Sequence, residues 1–277
     1  MNTLKKIGLT ALGTSLVAGS AYAGEITASG DAGYTWSSEE VGVRTDEGYG
    51  YNHDITFSGS GELDNGFTVS TTMILTETSG LSSSNVTLGM GGLGSIVIGQ
   101  GIDNVGANFD DVTPRAYEEN HDGMKTSTAI DNMGSFTSAN AVHYTSPSFD
   151  IGGGSLTFML GYTPEAGDAA TGEGGVAAQS KEFGSGKAAG VKVSYAGLEA
   201  GAFGEEAKND RGEAAQERDT MTATWYANYS FGPVSVGYQT GGLDIGGHGA
   251  GGAATSAKFV TSAAGFFEFE KMSIAFN

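Results

Sequence analysis

The sequence predicts an all-β fold, specifically a transmembrane antiparallel β-barrel, and three observations lead to this prediction. Apolar and polar residues alternate with a period of two over many segments. Several of these segments are about ten residues long, which matches a tilted strand that crosses a bilayer better than the shorter strand of a soluble sandwich. Finally, tight turns and long glycine-rich or acidic stretches separate the segments.

The alternation is clearest in residues 221–231. There, Met221, Trp225 and Tyr229 share one face, while threonine, asparagine and serine lie on the other. Successive side chains of a strand point to opposite faces, so such a segment has one apolar and one polar face. The apolar faces mix glycine and alanine with aromatic residues, a composition that suits lipid better than a packed core. Strands are predicted over 26–36, 53–63, 67–75, 85–90, 94–100, 140–147, 156–162, 191–195, 198–206, 221–231, 234–240, 257–264 and 271–277.

The connections between these strands are of two kinds. Asn65 and Gly66 predict a hairpin turn, because asparagine and glycine accept positive φ. Gly91-Gly92 and Gly232-Pro233 predict two further turns. Short turns at one end and long loops at the other are typical of outer-membrane barrels. The long loops are predicted over 101–139, 165–187, 207–219 and 241–256.

Residues 1–23 have the pattern of a cleaved export signal. Lys5 and Lys6 precede an uncharged apolar run, and Ala21-Tyr22-Ala23 forms an A-x-A cleavage site. An uncleaved membrane anchor is the alternative, but the run is shorter than the roughly 20 residues that a spanning helix needs. Cleavage would leave one barrel domain over 24–277, with 11 basic against 32 acidic residues and a formal charge of −21 instead of −19.

The composition excludes several classes of protein. The chain contains no cysteine, which excludes a disulfide scaffold and cysteine-based metal sites. Its acidic balance argues against nucleic acid as a partner, because phosphate binding needs a basic face. The four histidines are scattered without metal-ligand spacing, and no serine-hydrolase elbow is present. We therefore expect no catalytic residues and no enzyme activity.

Four segments carry a resemblance to a known family. They are GEIT at 24–27 with the alternating strand after it, LGSIVIGQ at 93–100, the long loop 101–139, and MSIAFN at 272–277. In this order they resemble the Gram-negative general porins of the alphaproteobacterial type, over nearly all of the chain after the leader. Two positions depart from the family pattern. Gln100 stands where many porins have arginine, and Asn277 stands where porins typically end on an aromatic residue.

The resemblance implies a 16-stranded barrel in the bacterial outer membrane, reached by export through the periplasm. It also implies a homotrimer that lets small hydrophilic solutes and ions diffuse passively through a water-filled lumen. Only thirteen strands are predicted here, whereas bacterial barrels have an even number. We therefore expect a chain that lacks about three C-terminal strands; a miscounted strand is the alternative.

The acidic loop 101–139 occupies the place of the family's loop that folds into the pore. Acidic groups in a narrow water-filled pore attract cations, because low-dielectric walls focus their field. We expect a cation-preferring constriction, with a solvated surface loop as the alternative. The expected constriction residues are Asp103, Asp110, Asp111, Arg115, Glu118, Glu119, Asp122 and Lys125, and the expected lumen-wall residues are Asp31, Arg44, Asp54, Glu62 and Lys192.

Aromatic and glycine residues on the apolar faces predict two further surfaces. Amphipathic rings prefer membrane interfaces, so an aromatic girdle is expected, with ordinary strand packing as the alternative. The small residues Gly30, Gly59 and Gly61 would let two barrels approach closely in the trimer that the resemblance implies. The girdle residues are Tyr34, Trp36, Tyr162, Trp225, Tyr229 and Tyr238.

No cofactor is expected, with calcium as the alternative. The acidic cluster at 205–219, which includes Glu205, Glu206 and Asp219, is expected in an external loop, where converging oxygens would bind calcium. Glycine-rich residues 241–247 resemble a calcium-binding repeat, so the alternative function is a secreted β-rich adhesin or calcium-binding surface protein. Such proteins repeat a nine-residue unit many times, and this sequence does not.

Overall fold

The structure is a computed structural model in which long antiparallel strands dominate. It describes residues 26–41, 44–76, 80–100, 104–114, 133–134, 136–138, 141–166, 183–209, 219–244, 260–262 and 266–276. The predicted leader at 1–23 lies outside these residues. No helix in the described part of the chain is long and apolar enough to cross a membrane.

The strands follow one another along the chain with two short 3-10 turns, Gly91–Leu93 and Gly106–Asn108. They are β1 (Thr27–Val41), β2 (Arg44–Glu62), β3 (Thr68–Leu75), β4 (Leu81–Gly89), β5 (Ser95–Gln100), β6 (Ala141–Thr145), β7 (Phe149–Asp150), β8 (Gly154–Thr163), β9 (Phe183–Tyr195), β10 (Leu198–Asn209), β11 (Thr220–Phe231), β12 (Val234–Asp244), β13 (Val260–Ser262) and β14 (Phe266–Phe276).

These strands form one antiparallel sheet in which nearly every strand pairs with its neighbours in the sequence. The order is β1-β2-β3-β4-β5-β6-β8-β9-β10-β11-β12-β14-β13, and β7 pairs with β8 beside this path. Each of the thirteen predicted strands overlaps a strand of this path. The sequence missed β7, because a two-residue strand is too short to show alternation.

The two faces of the sheet differ as the alternation predicts. In β11, Thr220, Thr222 and Thr224 are buried on one face, whereas Met221 and Trp225 are exposed on the other, by 53% and 49%. We call the face with the buried threonines the inner face and the opposite one the outer face. The antiparallel register carries both faces across the sheet, because directly paired residues lie on the same side.

The short turns after β2, β4, β9 and β11 lie at one end of the sheet, and the long connections after β5, β8, β10 and β12 lie at the other. Ala196 and Gly197 join β9 to β10 with φ of +48° and +85°, a conformation that glycine tolerates best. The predicted turn at Gly66 also has positive φ, and its N–H donates to the Leu63 carbonyl over 2.8 Å. We call these the short-turn end and the long-loop end.

The β1–β2 hairpin extends beyond the rest of the sheet at the long-loop end. β3 pairs with β2 only over the last part of that strand, from Ile55 to Glu62. Arg44 pairs with Val41 at the tip of the hairpin, outside the part that β3 joins. The role of Arg44 in the lumen wall, expected as a basic residue opposite the acidic loop, stays a prediction.

Candidate functional site

Residues 104–114, which we call the inward segment, lie against the inner face of the sheet. Phe109 is completely buried at its centre. The Phe109 ring stacks on Phe203 with centroids 5.3 Å apart and meets Tyr226 edge-on at 6.2 Å. Val105, Met133, Met159 and Ala188 complete this buried cluster, so the inward segment contributes to the main hydrophobic core among the described residues.

Two glycines on the inner face make room for this aromatic cluster. A Cβ atom on Gly190 of β9 would lie 2.5 Å from Phe109 Cε2. A Cβ atom on Gly201 of β10 would lie 2.6 Å from Tyr226 Cε1 and 2.9 Å from Phe109 Cε1. Real Cβ atoms essentially never come this close, so the two rings depend on glycine at both positions.

Two amide side chains on the inner face bind the backbone of the inward segment. Gln239 is fully buried on β12; its Nε2 donates to the Phe109 carbonyl over 2.7 Å, and its Oε1 accepts the Val112 N–H at 3.1 Å. Asn228 Nδ2 on β11 donates to the Val112 carbonyl over 2.8 Å. Each bond satisfies a backbone N–H or carbonyl group of the segment, which a loop would otherwise expose to water. Because the partners are side chains on fixed strands, the bonds hold the segment in one position against the sheet.

A buried ion pair ties the same segment to β14. Lys271 Nζ contacts Asp111 Oδ1, and both side chains are more than nine-tenths buried. Asp111 has φ of +39°, close to the left-handed region that aspartate tolerates better than most residues. Its carboxylate therefore anchors the segment and does not face open solvent.

A second buried carboxylate binds residues 133–138. Glu205 of β10 accepts the Gly134 N–H at 3.0 Å and the Thr137 hydroxyl at 3.1 Å. The acidic cluster at 205–219 predicted an external loop for Glu205. That expectation was wrong, because β10 continues to Asn209 and the strand register turns Glu205 to the inner face.

A cavity of about 530 Å³ lies between the inward segment and the short-turn end of the inner face. Val112 and Pro114 border it on one side, and Glu199 and Asn228 are among the residues that line it. The Tyr226 hydroxyl donates to Glu199 Oε1 over 2.8 Å. Every other described residue that lines the cavity is uncharged, so Glu199 sets its electrostatic character.

A comparison with known protein families adds a match over almost the whole chain. The family model described as Gram-negative porin matches residues 8–277. The chain belongs to the Gram-negative porin family. Its fold is therefore the antiparallel β-barrel of a porin, and the protein forms a porin channel associated with the outer membrane.

Solved porin structures are similar to this porin at low identity. An anion-selective porin from Comamonas acidovorans shares 15% identity, with a TM-score of 0.48, over 79% of this chain and 69% of that one. A mutant of the Rh. blastica porin shares 14% identity, with a TM-score of 0.30, over 91% of this chain and 99% of that one. No curated protein matches this porin.

The structure places only part of the predicted constriction set. Asp110 is half-buried and Asp111 is buried, both within the inward segment. Lys192 lies on the inner face of β9, with Nζ 5.5 Å from the centroid of the Phe109 ring. The remaining six residues lie outside the described part of the chain: Asp103, Arg115, Glu118, Glu119, Asp122 and Lys125.

The other predicted wall carboxylates belong to the first two strands of this porin. Asp31 of β1 pairs directly with Asp54 of β2, on the face that also carries Ser58. Glu62 is exposed at the end of β2. These strands lie at the opposite end of the sheet order from β12 and β14, which bind the inward segment. The lumen role of these residues stays a prediction.

The predicted girdle residues lie at different heights. Tyr34 stacks on Tyr49 on the extended β1–β2 hairpin, and Trp36 follows on the same strand. Tyr162 lies near the long-loop end of β8, and Tyr229 near the short-turn end of β11.

Trp225 and its neighbour Tyr238 fit a girdle least well. Trp225 lies six residues from Phe231, the last residue of β11. At a tilt of about 45° this corresponds to about 14 Å along the membrane normal, near the middle of an apolar band about 25 Å tall. Trp225 packs on Tyr238 with centroids 5.3 Å apart. The girdle role of this pair stays a prediction.

The glycine patch lies beside a groove. A cavity of about 560 Å³ is lined by Gly59 and Gly61 of β2, together with Ile26, Val69 and Val86. These residues lie on the outer face by register. Gly30 is not among the described residues that line this groove.

Sequence reasoning missed the residues that hold the inward segment. Gln239, Asn228 and Lys271 were assigned only to strands, and Phe109 received no role. A weak signal existed for the glycines, since Gly190 and Gly201 interrupt otherwise regular strands. Pairing across 127 to 160 residues leaves no local pattern, as with Gln239 to Val112 and Lys271 to Asp111.

Metal ligation receives no support from the geometry of the described residues. Among them, no group of three or more histidine, aspartate or glutamate side chains is arranged to hold a metal ion. Calcium binding by the rest of the 205–219 cluster stays a prediction, since most of that cluster lies outside the described residues.

Proposed function

We propose that this porin is a diffusion channel for small hydrophilic solutes and ions, with a preference for cations. The observation that supports the proposal most strongly is the attachment of the inward segment to the inner face of β9–β12 and β14. Phe109, Asp111 and Val112 are held by packing, an ion pair and hydrogen bonds, respectively. A segment held in this way narrows the lumen, which lets the charges beside it act on passing ions.

The charge distribution supports the cation preference. Cleavage of the leader would leave 11 basic and 32 acidic residues. On the described inner face, Lys271 is paired with Asp111 and Lys192 lies over the Phe109 ring. Neither side chain presents an unpaired cation to solvent beside the cavity, which Glu199 lines. Focused by low-dielectric walls, the net negative potential raises the local cation concentration.

The reversal potential of single channels in a planar bilayer tests this proposal. Under a KCl gradient, we expect discrete conductance steps with a reversal potential on the potassium side. A chloride-side reversal, the behaviour named for the Comamonas porin, would overturn the cation preference. Folded protein without conductance steps would overturn the channel function itself.

We further propose that the chain is exported with cleavage after Ala23 and assembles as a homotrimer. The A-x-A site and apolar run support export. The outer groove beside Gly59 and Gly61 supports a close contact between barrels. Mass spectrometry of the mature N-terminus tests the cleavage. Chemical crosslinking of wild type against Gly61→Trp tests the groove, and an unchanged trimer fraction would contradict its role.

A further inference from the structure

We propose that Glu199 and Tyr226 form a binding subsite for small ammonium cations in the cavity at the short-turn end of the inward segment. The inference rests on the proposed channel function and names a solute class for it. The relevant cavity has a volume of about 530 Å³, large enough for a small organic cation with some of its water.

The carboxylate of Glu199 is oriented for binding. Tyr226 is 1% exposed, and its ring packs edge-on against Phe109. Its hydroxyl donates to Glu199 Oε1 over 2.8 Å, which restrains the carboxylate. An ionised carboxylate accepts about four hydrogen bonds, so one tyrosine leaves capacity for a ligand. Glu199 itself is exposed, and a solute in the cavity can reach it.

The remaining polar lining suits a cation with N–H groups. Ser194, Ser230 and Ser235 place hydroxyl groups along the cavity, and Asn228 adds an amide. Hydroxyl oxygens accept hydrogen bonds from an ammonium group while its charge pairs with the carboxylate. A chloride ion would meet the Glu199 charge without a lining cation to compensate it.

Lys192 is the charged side chain that would compete with a bound solute for the Glu199 carboxylate. The two side chains interact electrostatically across β9 and β10. Lys192 is half-buried, however, with Nζ 5.5 Å from the Phe109 centroid, and it does not line the cavity. The pair therefore tempers the negative potential of the cavity without placing a cation inside it.

Block of potassium current by ethylammonium tests the subsite. Ethylammonium chloride is added to one side of the bilayer and then to the other, with wild type, Glu199→Gln, Tyr226→Phe and the matched control Glu206→Gln. Glu206 is a carboxylate of the same strand on the outer face. We expect block from one side only. The apparent Kd of ethylammonium should rise at least about tenfold in Glu199→Gln, because one charge-assisted hydrogen bond is lost. It should stay unchanged in Glu206→Gln.

Tyr226→Phe separates orientation from charge. This variant keeps the carboxylate but removes the hydroxyl that orients it, so we expect block that is weaker than in wild type and stronger than in Glu199→Gln. If ethylammonium blocks the Glu199→Gln channel as it blocks wild type, and this channel still prefers potassium, the subsite is refuted and the channel proposal stands. Saturation-transfer NMR of ethylammonium with the detergent-folded porin reads binding without conduction, so loss of channel activity leaves the subsite testable. An NMR signal equal in wild type and Glu199→Gln refutes it as well.

Discussion

The buried pair between Lys271 and Asp111 provides the sharpest test of how the inward segment is held. Removing one member of a buried ion pair typically costs about 3–5 kcal/mol, because the remaining charge stays uncompensated. Lys271→Met leaves the Asp111 carboxylate in this position. Adding Asp111→Asn removes that charge, and asparagine keeps the tolerance for the left-handed backbone that φ of +39° requires.

The other contacts decide where this cost appears. Burial of Phe109 contributes about 1.5–3 kcal/mol, and the hydrogen bonds of Gln239 to the segment contribute about 0.5–1.5 kcal/mol each. Their sum is of the same order as the cost of the unpaired charge, before the entropy of ordering the segment is subtracted. We therefore expect Lys271→Met to release the inward segment and to leave the barrel folded.

Hydrogen exchange at the Val112 amide measures this release, since that N–H donates to Gln239 Oε1. Local opening controls exchange, and a loss of about 3 kcal/mol raises the rate about a hundredfold. We expect this acceleration in Lys271→Met and a return to within about tenfold of wild type in the double variant. If the double variant exchanges as fast as Lys271→Met, the two side chains are not coupled and the reasoning is refuted.

Two further predictions concern packing and the two faces of the sheet. Gly190→Ala should displace the Phe109 ring and lower the free energy of unfolding by about 1–3 kcal/mol, as measured in guanidinium titrations. The control Gly204→Ala should not, because Gly204 has room for a Cβ atom. Equal effects would show that Gly190 does not make room for the ring. Phe158→Arg on the outer face should reduce the stability of the porin in lipid vesicles by about 2–4 kcal/mol. Thr157→Arg on the inner face should leave this stability nearly unchanged. The reverse order would show that the inner face, and not the outer face, is in contact with lipid.

Much of the fold could be predicted because its signal is local. Each predicted strand overlaps a strand of the structure, and the turn at Gly66 lies where asparagine and glycine placed it. Strand ends were less accurate. β9 begins eight residues before its predicted start, because Gly184, Gly186 and Gly190 hide the alternation. The confirmed family followed from the order of the motifs, and each motif alone was weak.

The candidate site could be predicted only as a stretch of chain. Loop 101–139 was expected to carry acidic groups into the pore, and Asp111 does lie beside the inner face. Its carboxylate, however, is bound to Lys271, a residue that sequence analysis had assigned only to a strand. Glu205 was expected in an external loop and is buried on the inner face. Strand β10 continues past this position, and the alternation of its side chains turns Glu205 inward.

The sequence by itself determined the alternating strands, the two kinds of connection, the acidic character of the chain and the family to which it belongs. These properties follow from neighbouring residues, since strand period and turn chemistry act over a few positions. Only the tertiary structure decided which side chains hold the inward segment and which carboxylate remains available in the cavity. Contacts such as Gln239 with Phe109 join residues 130 apart, and such pairs arise only when the sheet brings its strands around one space.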